Sequence, residues 1–230
     1  MVELEVVHET RYAYAARVSL AHHLAHLQPL QDDHQQLLDF VLNVDPAPDA
    51  IKDSLDAMGN TQRHFSLVQP HRRLQVRAVS RVRLVPRFSA LDAAASPPWS
   101  DVAARLRYVA RAPFEPALEF ALPSPYVPRL PALRDYGQPI FTPGRPIAQA
   151  ALELMHRVHA DFKYQSRSTE VDTPLADVLQ HRRGVCQDFA HVMAGVLRIW
   201  GLPARYVSGY LLTHAPEGGA DMLGADASHA

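Results

Sequence analysis

A chain of 230 residues, 47% apolar and 20% charged, has the composition of an ordinary globular protein and enough length for two cores. A formal net charge of −1 supplies no long-range field to gather nucleic acid or an anionic membrane, so neither is expected as a partner. One cysteine, Cys186, excludes an intrachain disulfide and suits a reducing compartment, and with an acidic start unlike a signal peptide and no apolar run of membrane-spanning length the expected address is cytoplasmic.

Residues 1–86 read as an antiparallel β unit. Val2, Leu4 and Val6 alternate with Glu3 and Glu5, the pattern of a half-buried strand. A change of phase near Val7 predicts a bulge before Tyr12 and Tyr14. Further strands are expected at 18–29, 37–44, 61–68 and 74–85, with a turn at 56–60 in which Gly59 takes positive φ. In the last strand Leu74, Val76, Ala78, Val82 and Leu84 share one side, and Arg77, Arg81 and Arg83 share the other. Short strands at regular spacing cannot bury a face alone, so a two-sheet sandwich is predicted. His22, His23 and His26 share a neighbourhood, but no acidic or cysteine partner completes a metal set. The unit carries no catalytic constellation and is taken as a scaffold.

Residues 87–145 form a Pro-rich connecting region. Pro97, Pro98 and Trp99 open a helical pattern running to Ala110. Closely spaced prolines then prevent long elements, with short helices at 117–121 or 130–135 as the options. Phe114, Leu118, Phe120, Tyr126, Leu133 and Phe141 give this stretch apolar surface to pack, so it is expected as a rigid strap. Residues 146–230 begin a second unit. Pro146 suits a first helical position, and Ile147, Ala151, Leu154 and Val158 form a stripe through 162. Thr173 and Pro174 are expected to cap and open the next helix.

Cys186 follows Gly184 and precedes Phe189, Met193, Val196, Leu197 and Trp200, spaced as one helical face. Gly201 and Pro203 end that helix. The first N–H groups of a helix lack internal partners, and the aligned dipoles add partial positive charge. Both favour a thiolate over a thiol, and the same N–H groups can receive an oxyanion. The bland alternative is a small buried apolar side chain. Residues 204–212 are expected as a strand beside the helix, and Gly218-Gly219 as a turn on the cleft rim. His191 is turned about 140° from Cys186 on the helix, so packing or hydrogen bonding is its expected work. Asp188, in the first turn, is expected to cap. Tyr164 and Gln180 are candidates for the oxyanion or cleft.

Three blocks in order resemble the bacterial transglutaminase-like superfamily. They are Gly184-Val185-Cys186-Gln187-Asp188-Phe189-Ala190-His191, Gly201 to Tyr210, and Ala225-Asp226-Ala227-Ser228-His229-Ala230. The front of the chain is similar to the β-rich amino-terminal region of this bacterial group. The resemblance implies an α+β fold: an antiparallel β-sandwich-like domain, then a papain-like core of helices and antiparallel sheet, lacking its carboxy-terminal strands. It also implies a transglutaminase-like cysteine protease or acyltransferase, with Cys186 as nucleophile and His229, on a following strand, as base. In the family an aspartate on the next strand orients that histidine. The chain stops at Ala230, and Asp226 would face the other side of the strand, so a shortened and impaired chain is expected, with an exposed strand edge open to homo-oligomer formation. The implied function is thiol-dependent acyl transfer on protein or peptide amides, by hydrolysis or transamidation. The alternative is a non-catalytic module that binds a peptide or protein partner. No acidic calcium loop is present, so neither metal nor cofactor is expected.

Overall fold

The computed structural model describes residues 1–211 and 228–230. The chain divides into two compact units, 1–90 and 91–230. The first is built from β1 (Val2–Val18), β2 (Ala21–Ala25), β3 (Gln35–Asp45), β4 (Ala50–Leu55), β5 (Thr61–Leu67) and β6 (His71–Leu84). They form two antiparallel three-stranded sheets, ordered β1-β6-β3 and β2-β5-β4. Phe65 and Leu67 from one sheet and Leu74 and Val76 from the other make a shared core, joined by Tyr14, Leu42 and Val44. This is the predicted sandwich.

The bulge expected near Val7 does not form. β1 runs in unbroken register with β6 from Val2 opposite Leu84 to Ala13 opposite Arg73, and the register shifts only between Ala13 and Val18. His8 and Thr10 simply continue the inward side begun by Leu4 and Val6, leaving Val7 outward and 49% exposed. A two-residue period tolerates polar residues inward at the rim of a small sheet. The turn at 56–60 forms as expected, with Gly59 at φ +82° and Asp56 accepting N–H bonds from Met58 and Asn60 at 2.8 Å.

The second unit is mainly helical. It holds α1 (Trp99–Arg105), a 3₁₀ turn (Pro116–Ala121), α2 (Pro131–Gly137), α3 (Ile147–Asp161), α4 (Leu175–His181) and α5 (Cys186–Ile199), with two-residue strands after α3 and after α4. α1 stops five residues before the expected Ala110. Leu106 closes it, and Arg111, at φ +66°, interrupts the stretch beyond. Both short helical options in the Pro-rich stretch form. Pro146 and Pro174 are N-caps rather than first helical residues, and the Thr173 hydroxyl accepts the Glu170 N–H at 2.8 Å instead of capping α4.

α5 lies in the middle of this unit's core. Val192 and Val196 are fully buried, together with Leu133 and Ile140 from the Pro-rich stretch and Ala150 and Leu154 of α3. Removing such side chains from water is the main favourable contribution to packing. Residues 127–141 thus belong to the same core as α3 to α5. α5 ends as its sequence predicts. Gly201 takes φ +81°, and the Leu202 N–H bonds back to the Leu197 carbonyl at 3.0 Å while the Gly201 N–H bonds to Arg198 at 3.0 Å. That paired closure satisfies carbonyls that the helix leaves open.

Candidate active site

The site is built at the start of α5. β7 (Lys163–Tyr164) and β8 (Arg183–Gly184) pair in parallel, which brings Tyr164 beside Gly184, two residues before the cysteine. Lys163 donates its N–H to the Arg182 carbonyl at 2.8 Å, and Gln165 to the Gly184 carbonyl at 2.9 Å. The chain then turns through Val185, the N-cap, and Cys186 is the first residue of the helix.

Asp188 fixes this turn. It is 3% exposed. Its Oδ2 accepts the Val185 N–H at 2.8 Å and the Thr169 hydroxyl at 2.6 Å. This is the carboxylate half of a capping box; valine offers no acceptor to return the bond. The same carboxylate explains Gly184. A Cβ on Gly184 would lie 2.5 Å from Asp188 Oδ2, inside any real contact, so only glycine leaves the carboxylate room. Capping, the role expected for Asp188, is what its contacts describe.

The helical ladder opens with the Phe189 N–H on the Val185 carbonyl at 3.2 Å. The N–H groups of Cys186, Gln187 and Asp188 precede that first bond. They are the donors that a helix start leaves unpaired, and they point where the dipole is positive. Cys186 is half-buried, so its sulfur is neither sealed in the core nor fully in solvent.

His191 lies one turn further along. Its ring stacks on Tyr126 with centroids 5.9 Å apart and tilts against Tyr206 at 5.2 Å. Burial lowers its pKa; Asp188 opposes that and Arg198 adds to it. The ring is therefore a packed, neutral imidazole at neutral pH, in the packing role expected. Tyr206 is a participant that the sequence alone did not single out. Burial raises its pKa, and its nearness to Cys186 and then to the Asp188 carboxylate raises it further. The phenol thus keeps its proton within electrostatic reach of the thiol, and it is 38% exposed. Its only signal in the sequence is its place in the Gly201 to Tyr210 block.

The strand expected over 204–212 is confined, among the described residues, to β9 (Gly209–Tyr210). Ala204 spends its backbone groups elsewhere. Its N–H bonds to the Phe120 carbonyl at 3.0 Å, and its carbonyl receives Arg198 Nη2 at 2.7 Å. β10 (Ser228–His229) pairs antiparallel with β9, His229 opposite Gly209 and Ser228 opposite Tyr210. His229 is exposed, and among the described residues no hydrogen bond joins it to Cys186. Asp226 and the Gly218-Gly219 turn lie outside the described residues.

The two further candidates fall in different places. Tyr164 is next to the turn but 58% exposed. Gln180 is exposed on α4 and lines a groove with residues of α2 and α3; Cys186 is not among the residues of its walls. Among the described residues, no group of three His, Cys, Asp or Glu is arranged to hold a metal ion. His22, His23 and His26 diverge: His23 stacks on Phe65 with centroids 4.9 Å apart, while His26 bonds Gln62 at 2.9 Å. Among the same residues no helix is long and apolar enough to cross a membrane.

Residues 4–83 match the bacterial transglutaminase-like N-terminal region, and residues 134–230 match the transglutaminase-like superfamily. The uncharacterized protein Rv2569c of Mycobacterium tuberculosis is 38% identical over 227 residues, covering 98% of this chain and 71% of that protein. The uncharacterized protein ML0607 of Mycobacterium leprae is 29% identical over 214 residues, covering 92% of this chain and 72% of its own length. Among solved structures, "a Putative Cysteine Protease from Cytophaga hutchinsonii" aligns with TM-score 0.63 at 19% identity, over 91% of this chain and 70% of that one. At that identity the likeness speaks for the fold.

Proposed function

This chain belongs to the bacterial transglutaminase-like family, and from that premise we propose that it performs thiol-dependent acyl transfer on protein or peptide amides. Cys186 is the nucleophile and His229 the base. The observation that carries this is the position of Cys186 as first residue of α5, where free N–H groups and the positive end of the helix dipole stabilise an oxyanion formed beside Sγ. Pairing of β10 with β9 supports His229, since it ties a histidine strand to the chain that leaves α5.

The chemistry follows from these groups. The Cys186 thiol gives its proton to the imidazole, and Sγ attacks the amide carbonyl. The carbonyl oxygen becomes an oxyanion facing the N–H groups at the start of α5. Collapse of the intermediate breaks the C–N bond, and the imidazolium protonates the departing amine. A thioester remains. Water resolves it to an acid, or a second amine resolves it to a new amide; the imidazole takes a proton from either. Tyr206, protonated and near the thiol, offers one more donor on this side.

Iodoacetamide labelling of the native and the urea-unfolded chain at about pH 7 tests the activation. The native thiol is expected to react faster than the unfolded one. Turnover of a glutamine-bearing peptide, followed by mass spectrometry, is expected to pass through an acyl adduct on Cys186. Cys186→Ala removes the adduct, and His229→Ala lowers turnover by about 10²–10⁴-fold. Equal labelling rates in the two states, or turnover that survives Cys186→Ala, would sink the proposal.

A further inference from the structure

Residues 165–174 join β7 to α4, and Thr169 stands between two closed turns. In the first, the Ser168 N–H bonds to the Gln165 carbonyl at 3.2 Å, with Arg167 at φ +60°. In the second, the Thr173 N–H bonds to the Glu170 carbonyl at 3.1 Å, and the Thr173 hydroxyl accepts the Glu170 N–H at 2.8 Å. Closure on both sides restricts the backbone at Thr169. Two more bonds join the segment to the start of α5. The Gln165 N–H meets the Gly184 carbonyl at 2.9 Å, and Gln187 Nε2 donates to the Val171 carbonyl at 3.4 Å.

The Thr169 hydroxyl donates to Asp188 Oδ2 at 2.6 Å, and the same oxygen takes the Val185 N–H at 2.8 Å. Asp188 is buried, and a carboxylate withdrawn from water needs donors to offset the lost hydration. Held by Val185 alone, the carboxylate could turn about its last side-chain torsion, which has broad wells. The second donor arrives from a separate segment and stops that rotation. Gly184 lies against the carboxylate as well, with no room there for a Cβ. The carboxylate so fixed holds the N–H of the N-cap, Val185, and Cys186 follows directly. Thr169 therefore reaches the first turn of α5 through two hydrogen bonds.

We infer that Thr169 is a positioning residue for acyl transfer at Cys186: it holds the first turn of α5 so that the free N–H groups there meet the substrate's carbonyl oxygen as that oxygen takes charge. The inference rests on the acyl-transfer reading above. Oxyanion donors work only where they already point at the developing charge, and a misplacement of about 1 Å costs on the order of 10²-fold in rate. Alkylation makes a smaller demand, because iodoacetamide reacts at a saturated carbon and forms no oxyanion. The hydroxyl is what matters in this role. Valine keeps the shape of threonine and loses the donor; serine keeps the donor and loses a methyl.

Two reactions of the whole chain test this. One is acetylation by p-nitrophenyl acetate, in which Cys186 Sγ attacks the carbonyl and p-nitrophenolate leaves; the other is alkylation by iodoacetamide. Thr169→Val is expected to lower the limiting rate of acetylation by about 10–100-fold. The half-saturating concentration should stay within about twofold, since the lost interaction acts on the transition state, and alkylation should change little. Thr169→Ser is expected to restore most of the acetylation rate. Thr169→Ala leaves space for a water to donate in place of the hydroxyl; it is expected to fall between the two and replaces the valine variant should that one fold poorly. An unchanged ratio of acetylation to alkylation in Thr169→Val, or in Thr169→Ala where the valine variant does not fold, overturns the inference, as does a serine variant no faster than the valine one. Acetylation of the unmodified chain no faster than that of Cys186→Ala sinks the acyl-transfer reading and this inference with it. A Cys186-dependent rate that the Thr169 variants retain sinks the inference alone.

Discussion

Asp188 holds the turn that leads into Cys186. It stands three residues after the N-cap, at the position from which a carboxylate reaches back to the N-cap N–H. The bond orients the first turn of α5, so the Cys186 sulfur and the free N–H groups keep a fixed relation. Removing the carboxylate leaves the Val185 N–H and the Thr169 hydroxyl unpaired in a half-buried place. Asp188→Ala is therefore expected to cost about 1–3 kcal/mol. Gly184→Ala acts on the same carboxylate from the other side, because the added methyl falls on Asp188 Oδ2; it is expected to cost about 1–3 kcal/mol as an overpacking change. Urea denaturation of the two single variants and the double variant checks this. The two losses should fall well short of adding, since each disrupts one contact set. Full additivity would show that Gly184 and Asp188 are not coupled.

At the scale of one strand, β2 carries a pH-sensitive group. His23 packs on Phe65 of β5, and its Nε2 is buried with no hydrogen-bond partner among the described residues. Burial lowers its pKa from the ordinary 6.5, and the neighbouring His71 on β6 and His22 on β2 lower it further. A base whose folded pKa is depressed binds fewer protons folded than unfolded. Stability is then whole above the unfolded value and is lost as pH falls through 6.5 toward the lower folded value. The first unit should accordingly unfold at lower urea at about pH 5.5 than at about pH 7.5. His23→Phe, which keeps an aromatic face against Phe65, should flatten that dependence. An unchanged slope in the variant would assign the loss to other groups. This element also marks where local pattern fails. The sequence put three histidines near one another; only the pairing of β2 with β5 sends His23 inward and leaves His22 and His26 out.

Over the whole chain, periodic patterns were legible and tertiary contacts were not. The sandwich, the helix at Cys186 and its ending at Gly201 follow from alternation, spacing and a glycine with positive φ, all local properties. The contact of Thr169 with Asp188, the ring of Tyr206 beside His191 and the Arg182 guanidinium over the rings of Tyr136 and Phe162 join residues from separate elements. No period in the sequence encodes such contacts. The Pro-rich stretch shows the same division. Its prolines correctly forecast short elements, but its apolar residues, Val127, Leu133, Tyr136, Ile140 and Phe141, share a buried core with α3 to α5. The chain therefore parts near residue 90 into two units that each contain their own core. About 90 residues is above the size at which single domains commonly fold alone. Residues 1–90 expressed by themselves are expected to melt cooperatively with the pH response assigned to His23. Residues 91–230 should keep the fast alkylation of Cys186, because Asp188, Thr169, Tyr206 and His191 are all within it. Each fragment is checked by circular dichroism and thermal melting, and the second also by iodoacetamide at about pH 7. A first fragment without a cooperative melt, or a second whose thiol reacts no faster than when unfolded, would mean that a unit draws its order from the other.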